Sequence, residues 1–422
     1  MDKMNLSESV WNKRFTSLFI SRLIKNTGES FAFTSVLWLL ILRGDGALGT
    51  GLLLAVTVLP SSLLAPILGP LMKKHHLSKW MFASDVVRAT IVLIIPLLHF
   101  SELLPLWLLI SLMVIQSATG AAYNPASVAI LPQIVPKHLI QKANAILQSS
   151  FEIVALAAVM VAGLLVKLIG PADTLLITTG LFIISGLFII GVKLKKTDED
   201  RTAGIQQAKN TYLFNLKRGF LIVKNHHILF ALTIYCILMN VAAAPWQALS
   251  AVYVAESLQS DSMVYSILRG VAAVGAFMMG FALAKVKIKR FGLFFIVAGM
   301  IEGAAFFMTG MSTWLPVVLL ASFIFGAAVS AINVPEMVII QTSVDQEDQP
   351  QVYAVINASS NVFLPFAAVI SGVLAERFGA GLVIAGGGLL EILSGIAIFL
   401  FTGLAKSHLT ADNQKKSETV EA

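Results

Sequence analysis

Charged and amide side chains interrupt several long apolar runs of this 422-residue chain. Glu152 has no basic residue near it in its own run, and it shares a predicted helix face with Gln148, four positions earlier. Glu29 follows Lys25 at the spacing of an ion pair within one helix. A carboxylate in an apolar run can bind and release a proton. We therefore predict that Glu152 carries a proton, with Glu29 as the second candidate.

The second half of the chain carries similar groups. Arg269 and Glu302 fall at similar depths in consecutive apolar runs, so the sequence allows an ion pair between two helices. The alternative is an unpaired Arg269 that faces an anionic solute. Trp246 follows Pro245, a residue that can kink a helix. The remaining amides of this candidate solute pathway are Asn26, Asn240, Asn333 and Asn357, each of which could instead bond a neighbouring helix.

No enzyme motif accompanies these residues. The histidine pairs at 75–76 and 226–227 are adjacent in sequence, so their side chains point to different helix faces and make poor metal sites. Cys236 is the only cysteine, which excludes an intrachain disulfide and a cysteine-clustered metal site. Residues 44–49 match G-x-G-x-x-G, but no predicted strand precedes them. We therefore predict no catalytic residue, no cofactor, no metal and no nucleic-acid partner.

The composition excludes a soluble or disordered chain. Hydrophobic residues make up 57% of the sequence and charged residues 13%, against roughly 25% charged residues in soluble domains. A helix that crosses a bilayer needs about 20 apolar residues. The fold class that follows is an all-α integral membrane protein with twelve transmembrane helices. We place them at 16–42, 48–72, 79–99, 104–128, 143–168, 174–193, 226–251, 262–284, 291–310, 314–338, 352–377 and 380–404.

The distribution of positive charge predicts the orientation of these helices. If the amino terminus faces the cytoplasm, 23 of the 30 Lys and Arg residues lie in cytoplasmic loops and termini. Cytoplasmic loops of membrane proteins carry such an excess. We therefore predict a multi-pass protein of the cell membrane with both termini in the cytoplasm.

The longest polar interruption divides the chain into two halves. We predict a six-helix half at 1–193, a cytoplasmic linker at 194–225, a second six-helix half at 226–404 and a cytoplasmic tail at 405–422. Leu213, Leu216, Phe220 and Val223 follow helical spacing, which favours an amphipathic helix on the membrane surface over a plain linker. The segments GAAYNP (120–125) and GAAVSAINVP (326–335) suggest that the two halves are pseudo-symmetric repeats.

These features resemble the major facilitator superfamily over essentially the whole chain. Within it, the drug- and siderophore-exporter branch, with the macrolide efflux pumps and the enterobactin exporter, is the most similar. The residues that carry this likeness are Arg22, Gly28-Glu29, Asn124-Pro125, Leu131-Pro132, Val135-Pro136 and the stretch 215–230. The resemblance implies a secondary active transporter that works by alternating access, and it favours efflux coupled to protons.

The sequence also departs from the superfamily. The loop between the second and third helices keeps Gly69, but Lys73 stands where the family has a gating aspartate. We predict a gating region of Gly69, Lys73, Lys74 and Asp85. Gln116 appears where many proton-coupled drug antiporters carry an arginine, so we add it to the solute or proton pathway. Proton antiport is therefore implied by the resemblance and not by these motifs.

The expected function is secondary transport of a small organic molecule, such as a drug-like compound or siderophore. The expected partners are that substrate, protons and membrane lipids. Two alternatives stay open. The same fold could move a lipid or lysolipid, or it could act as a receptor that transports nothing.

Overall fold

The computed structural model describes residues 10–68, 77–192, 217–286, 288 and 290–406, and these residues form helices and no strand. The first group of helices is α1 (Lys13–Leu42), α2 (Gly46–Leu68), α3 (Leu77–Phe100), α4 (Leu106–Ala129), α5 (Leu131–Ile134), α6 (Ile140–Ile169) and α7 (Pro171–Ile190). The second group is α8 (217–225), α9 (His227–Val252), α10 (Ser262–Leu283), α11 (Phe291–Met311), α12 (Leu315–Ser343), α13 (Gln349–Asn361), α14 (Leu364–Phe378) and α15 (Ala380–Phe401).

Most of these helices are long and apolar enough to cross a membrane. Among the described residues, nine helical segments meet that standard, and two shorter apolar stretches lie in α2 and α6. The 30-residue α1 is less apolar, because it carries Arg22, Lys25 and Glu29. The all-α membrane fold is thus confirmed, and the predicted spans agree with the helix ends to within a few residues in most cases.

The predicted span 352–377 agrees with one apolar span, Gln349–Phe378, which is divided into two helices. Val362 and Phe363, between α13 and α14, keep α-helical dihedral angles but belong to neither helix. Pro365 stands at the start of α14. Proline has no N–H to donate to the preceding turn, so the ladder of helical hydrogen bonds is interrupted here. The break places Asn361 at the end of α13.

The described residues form two compact units. Unit 1 contains residues 10–43 and 56–192, and unit 2 contains residues 44–55 and the described residues from 217 onwards. The start of α2 belongs to unit 2 because Ala47 packs against α14, where a β-carbon on Gly372 would lie 2.7 Å from its carbonyl oxygen.

In unit 1, α7 packs against both α1 and α3. The side chain of Asn12 accepts hydrogen bonds from the N–H groups of Arg14 and Phe15, so α1 begins at a satisfied cap. Gly28 faces the ring of Phe182 on α7, and a β-carbon there would lie 3.1 Å from that ring. This close approach holds the polar half of α1 against α7.

In unit 2, α11 packs against α15 and α12, while α10 packs against α12. Small residues allow these approaches: a β-carbon on Gly303 of α11 would lie 2.7 Å from the carbonyl oxygen of Gly388 on α15. Helix α8 joins the same unit. Nη2 of Arg218 on α8 donates a 2.9 Å hydrogen bond to Oδ2 of Asp348, and Nε of the same side chain lies 2.8 Å from Oδ1.

Residues 217–225 of the predicted linker form helix α8, while Leu213 and Leu216 lie outside the described residues. The residues that α8 buries match the predicted apolar face only in part. Val223 is buried, but Phe220 is 55% exposed. A small residue provides the tight contact instead, since a β-carbon on Gly219 would lie 2.6 Å from the carbonyl oxygen of Gln351.

Candidate functional site

Unit 1 contains a network of four charges between α1 and α3. The Nζ atom of Lys25 lies 2.6 Å from Oε2 of Glu29, as the spacing predicts. Arg88 on α3 places Nη2 3.2 Å from Oε1 of Glu29 and Nη1 3.5 Å from Oδ1 of Asp85. Two cations thus neutralise two carboxylates, and Arg88 joins the two helices.

Neutral groups on three helices complete this network. Ser185 of α7 donates a 2.7 Å hydrogen bond to Oδ2 of Asp85 and lies 3.1 Å from the hydroxyl of Ser21. The ring of Tyr123 on α4 lies beneath the cations, with its centroid 4.8 Å from Nζ of Lys25 and 5.1 Å from Cζ of Arg88. Buried charges need this many partners, because an unpaired ion in the protein interior is strongly destabilising.

One member of the network faces open space. The side chain of Glu29 is 38% exposed, whereas those of Arg88 and Asp85 are almost completely buried. Glu29 and Arg88 line a cavity of about 260 Å³ together with Gln116 and Asn124 of α4. Gln116 is only 8% exposed, and its Oε1 atom has no hydrogen-bond partner among the described residues. This oxygen is therefore a buried acceptor without a partner beside the cavity.

Unit 2 contains a second polar cavity, of about 270 Å³. Amides from three helices line it: Asn240 and Gln247 from α9, Asn333 from α12, and Asn357 and Asn361 from α13. Two carboxylates, Glu302 of α11 and Glu336 of α12, belong to the same wall. No Lys, Arg or His is among the described residues that line it.

Glu302 lies against a second acid. Glu391 of α15 is completely buried and lies near Glu302, at the tight contact where a β-carbon on Gly303 would be 2.9 Å from Cβ of Glu391. Neither oxygen of Glu391 has a hydrogen-bond partner among the described residues. Two neighbouring carboxylates in a poorly solvated space repel each other when both are ionised, so their proximity disfavours two negative charges here.

The predicted ion pair between Arg269 and Glu302 is absent from the described structure. Arg269 lies half-buried on α10, which packs against α12, whereas Glu302 lies on α11 and faces Glu391. The two helices are consecutive in sequence but do not pack on each other, which is why equal depth does not bring the side chains together. Arg269 is also not among the residues that line the cavity of unit 2.

Other predicted residues lie outside the two cavities. Trp246 is buried in an aromatic cluster, with its ring centroid 5.9 Å from that of Phe306 and 6.1 Å from that of Phe325. Asn26 is buried beside Lys25, whose Nζ atom donates to its Oδ1 at 3.4 Å. Gln148 is exposed on α6.

Part of the predicted site cannot be placed. The side chain of Glu152 and the loop residues Gly69, Lys73 and Lys74 lie outside the described residues. Asp85, predicted for the gating region, is instead part of the buried network with Arg88 and Ser185.

Sequence analysis missed Glu336. It lies at the wall of the second cavity, where Cys236 is a weak donor 3.8 Å from its Oε1 atom. The signal was available: Glu336 directly follows Pro335 within the predicted span 314–338 and has no basic residue nearby in sequence. The pairing of Glu302 with Glu391 had no comparable signal, since 89 positions separate the two residues.

Comparison with known proteins decides the family. The sequence profile of the Major Facilitator Superfamily matches residues 18–367. This chain belongs to the major facilitator superfamily. It is 56% identical over 401 residues to the "Uncharacterized MFS-type transporter YvqJ" of Bacillus subtilis (strain 168), covering 95% of each chain. It is a membrane transporter and not an enzyme.

More distant relatives support an efflux-type branch. The transporter is 22% identical over 386 residues to macrolide efflux protein A of Streptococcus pyogenes, covering 87% of this chain and 91% of the relative. The fold resembles that of the nucleoside transporter NupG, with a TM-score of 0.69, 15% identity, and coverage of 93% of this chain and 100% of NupG. A bacterial homologue of the lysosomal transporter Spinster also has a TM-score of 0.69, at 12% identity, and the match covers 94% of this chain and 98% of the homologue. At such identities, the two structures indicate the fold alone.

Proposed function

We propose that this transporter exports a small organic molecule across the cell membrane in exchange for protons. The observation that carries the proposal is a polar cavity among the apolar helices of each unit, with a carboxylate at each wall. Polar groups in membrane-spanning helices are destabilising unless they have partners or a solute pathway to serve. The likeness to macrolide efflux protein A favours outward transport of a drug-like compound.

We further propose the organisation that the sequence predicts. Two six-helix halves, 1–193 and 226–404, alternate access to the substrate around a linker at 194–225, with both termini in the cytoplasm. Transporters of this superfamily place their binding sites near the membrane midplane at the interface of such repeats. Membrane lipids surround the exposed apolar faces of the helices.

The proton has several candidate carriers. Glu29 is supported by its position, since it is both a member of the charge network and part of the wall of the cavity. Protonation of Glu29 would release the two cations that hold it, which links proton binding to the contact between α1 and α3. Glu152 stays a candidate on the sequence argument alone.

The polarity of the cavities favours a soluble organic substrate over a lipid. Amides and carboxylates dominate the wall in unit 2, and such groups do not suit an acyl chain. A lipid or lysolipid transporter and a non-transporting receptor remain the alternatives that an experiment must separate.

Cellular retention of erythromycin and rhodamine 6G tests the proposal. We expect cells that express the transporter, in a host without its major exporters, to retain less of at least one compound than cells with an empty vector. A protonophore should abolish that difference. Equal retention of both compounds in the two strains would contradict export of drug-like compounds, and lipid flipping in vesicles without compound efflux would favour the lipid alternative.

A further inference from the structure

The cavity of unit 2 has an unusual balance of charge. Two carboxylates, from Glu302 and Glu336, belong to its wall, and no basic side chain is among the described residues that line it. The amide residues around them supply further carbonyl oxygens. An anion in this cavity would face two like charges in a poorly solvated space, which is unfavourable.

Glu336 lacks a strong partner. Its described contact is with the thiol of Cys236, a weak donor 3.8 Å away, and no described Lys or Arg forms an ion pair with it. A half-buried carboxylate with so weak a donor leaves most of its accepting capacity for a bound group. Such a group must bring its own positive charge or its own N–H donors.

Glu302 also lacks a cationic partner among the described residues. Its side chain is only 7% exposed and receives no hydrogen bond from a described Lys, Arg, Asn, Gln or Ser side chain. The titratable groups that face it are Glu391 from α15 and, from α9, Tyr235, whose hydroxyl donates to the carbonyl oxygen of Ile296 at 3.1 Å. A buried polar side chain with no cation of its own thus borders the cavity.

The size of the cavity favours an organic ligand over a metal ion. Its volume of about 270 Å³ is several times the roughly 30 Å³ that one water molecule occupies in the liquid. Its wall is also mixed, because Met239, Ala243, Val329 and Ile332 contribute apolar surface beside the polar groups. A ligand with an apolar body and a charged, donor-bearing end fits this distribution.

We propose that the cavity of unit 2 binds an organic cation that carries N–H donors, with Glu336 as its counterion. Asn240, Asn333 and Asn357 accept hydrogen bonds from the same positively charged end, and the apolar surface covers the body of the molecule. Glu302 lies next to the bound charge and places a second carboxylate beside it. This assignment rests on the proposed transport of an organic solute and names its chemical class.

The protein contains a natural reporter for this site. Cys236 is its only cysteine and lines the cavity from a buried position, so N-ethylmaleimide that enters the cavity can modify only this residue. A ligand that occupies the cavity should slow that reaction. Rhodamine 6G, a cationic xanthene dye with N–H groups, and fluorescein, an anionic dye with the same ring frame, form a matched pair of probes.

The experiment uses the full-length protein in detergent, without any ion gradient. Fluorescence anisotropy measures the dissociation constant of each dye, and the alkylation rate with and without dye locates the binding. We expect rhodamine 6G to bind and to slow alkylation of Cys236, and we expect fluorescein to do neither. In Glu336→Gln the affinity for rhodamine 6G should fall at least about tenfold, because the counterion is lost.

The matched control is Glu347→Gln, which removes an exposed acid outside the cavity and should leave the affinity unchanged. Each rate is compared with that of the same variant without dye, so a changed reactivity of Cys236 does not affect the result. Equal affinity for both dyes, preference for fluorescein, absence of rhodamine 6G binding, or unchanged binding in Glu336→Gln would each overturn the proposal.

This test is independent of transport. Binding that requires Glu336, in a protein that exports no compound from cells, would support the cation site and contradict the proposed export. Export of an anionic compound without rhodamine 6G binding would support export and overturn the cation site.

Discussion

Arg88 of α3 lies 3.2 Å from the carboxylate of Glu29 on α1, while Lys25 holds the other oxygen of the same carboxylate at 2.6 Å. Glu29 is the exposed member of this group and borders the cavity of unit 1. The contact gives unit 1 a charge network in which a solute or proton can reach one carboxylate directly. It also makes the ion-pair link between α1 and α3 depend on the charge state of that carboxylate.

Arg88 should be essential to the stability of unit 1. Replacement by methionine would leave the completely buried Asp85 with Ser185 as its described hydrogen-bond donor. Loss of one partner from a buried ion pair typically costs about 3–5 kcal/mol. We expect Arg88→Met to lower the unfolding temperature markedly in detergent, and Asp85→Asn in the same chain to restore part of it. Arg377→Met, at an exposed position, is the control, and an unchanged melting curve for Arg88→Met would contradict this account.

The hydroxyl of Ser185 should stabilise the protein through Asp85. Its 2.7 Å hydrogen bond is the described donor contact to Oδ2 of a buried carboxylate. Ser185→Ala should therefore lower the free energy of unfolding by about 1–3 kcal/mol. The control is Ser111→Ala, because Ser111 is exposed and bonds the carbonyl oxygen of Trp107 in its own helix. Equal effects of the two substitutions on thermal unfolding would show that the contact with Asp85 contributes nothing.

Replacing Glu391, the neighbour of Glu302, by glutamine should destabilise the protein less than replacing it by alanine. Glu391→Gln removes one of two neighbouring buried acids and keeps the size of the side chain, and its NH₂ group can donate to Glu302. Glu391→Ala removes the side chain and leaves empty space between α11 and α15. We expect thermal unfolding of the glutamine variant close to that of the native protein, and loss of roughly 2 kcal/mol or more in the alanine variant. A glutamine variant as unstable as the alanine variant would contradict this account of the packing.

Close helix packing in unit 2 should depend on Gly326. A β-carbon there would overlap the backbone of Ala272 on α10, so Gly326→Ala must separate α10 from α12. Gly386 of α15 is a matched control, since nothing lies near its β-carbon position. There, alanine should be neutral or stabilising by up to about 1 kcal/mol, because it favours the helix. The unfolding temperature of Gly326→Ala should be lower than those of the native protein and of Gly386→Ala. The reverse order would contradict the observed packing.

The sequence predicts the helices far better than the contacts between them. Long apolar runs are a local signal, so most helix ends agree with the predicted spans. The contact of Lys25 with Glu29 is also local, since both lie on one face of α1. Pro365 shows the limit of that signal, because the hydropathy of 352–377 is continuous although the helix is broken.

Contacts between helices depend on which helices are neighbours, which hydropathy does not encode. Depth alone predicted that Glu302 would meet Arg269, but α11 packs against α15 and places Glu302 beside Glu391. Arg88 contacts Asp85 three positions away in its own helix, yet its contact with Glu29 depends on the position of α1. Asn240, Asn333 and Asn357 were predicted one by one, and their common location comes from the packing of α9, α12 and α13.

Proton-driven flux of rhodamine 6G into proteoliposomes tests the central claim most directly. The purified transporter is reconstituted with an acidic lumen, and valinomycin with equal potassium on both sides holds the membrane potential at zero, so that a permanent cation gains nothing from voltage. The account predicts that the dye accumulates in the lumen above its external concentration, that a protonophore abolishes the accumulation, and that Glu29→Gln reduces it strongly. Accumulation no greater than in protein-free liposomes, or accumulation that is indifferent to the pH gradient, would contradict it.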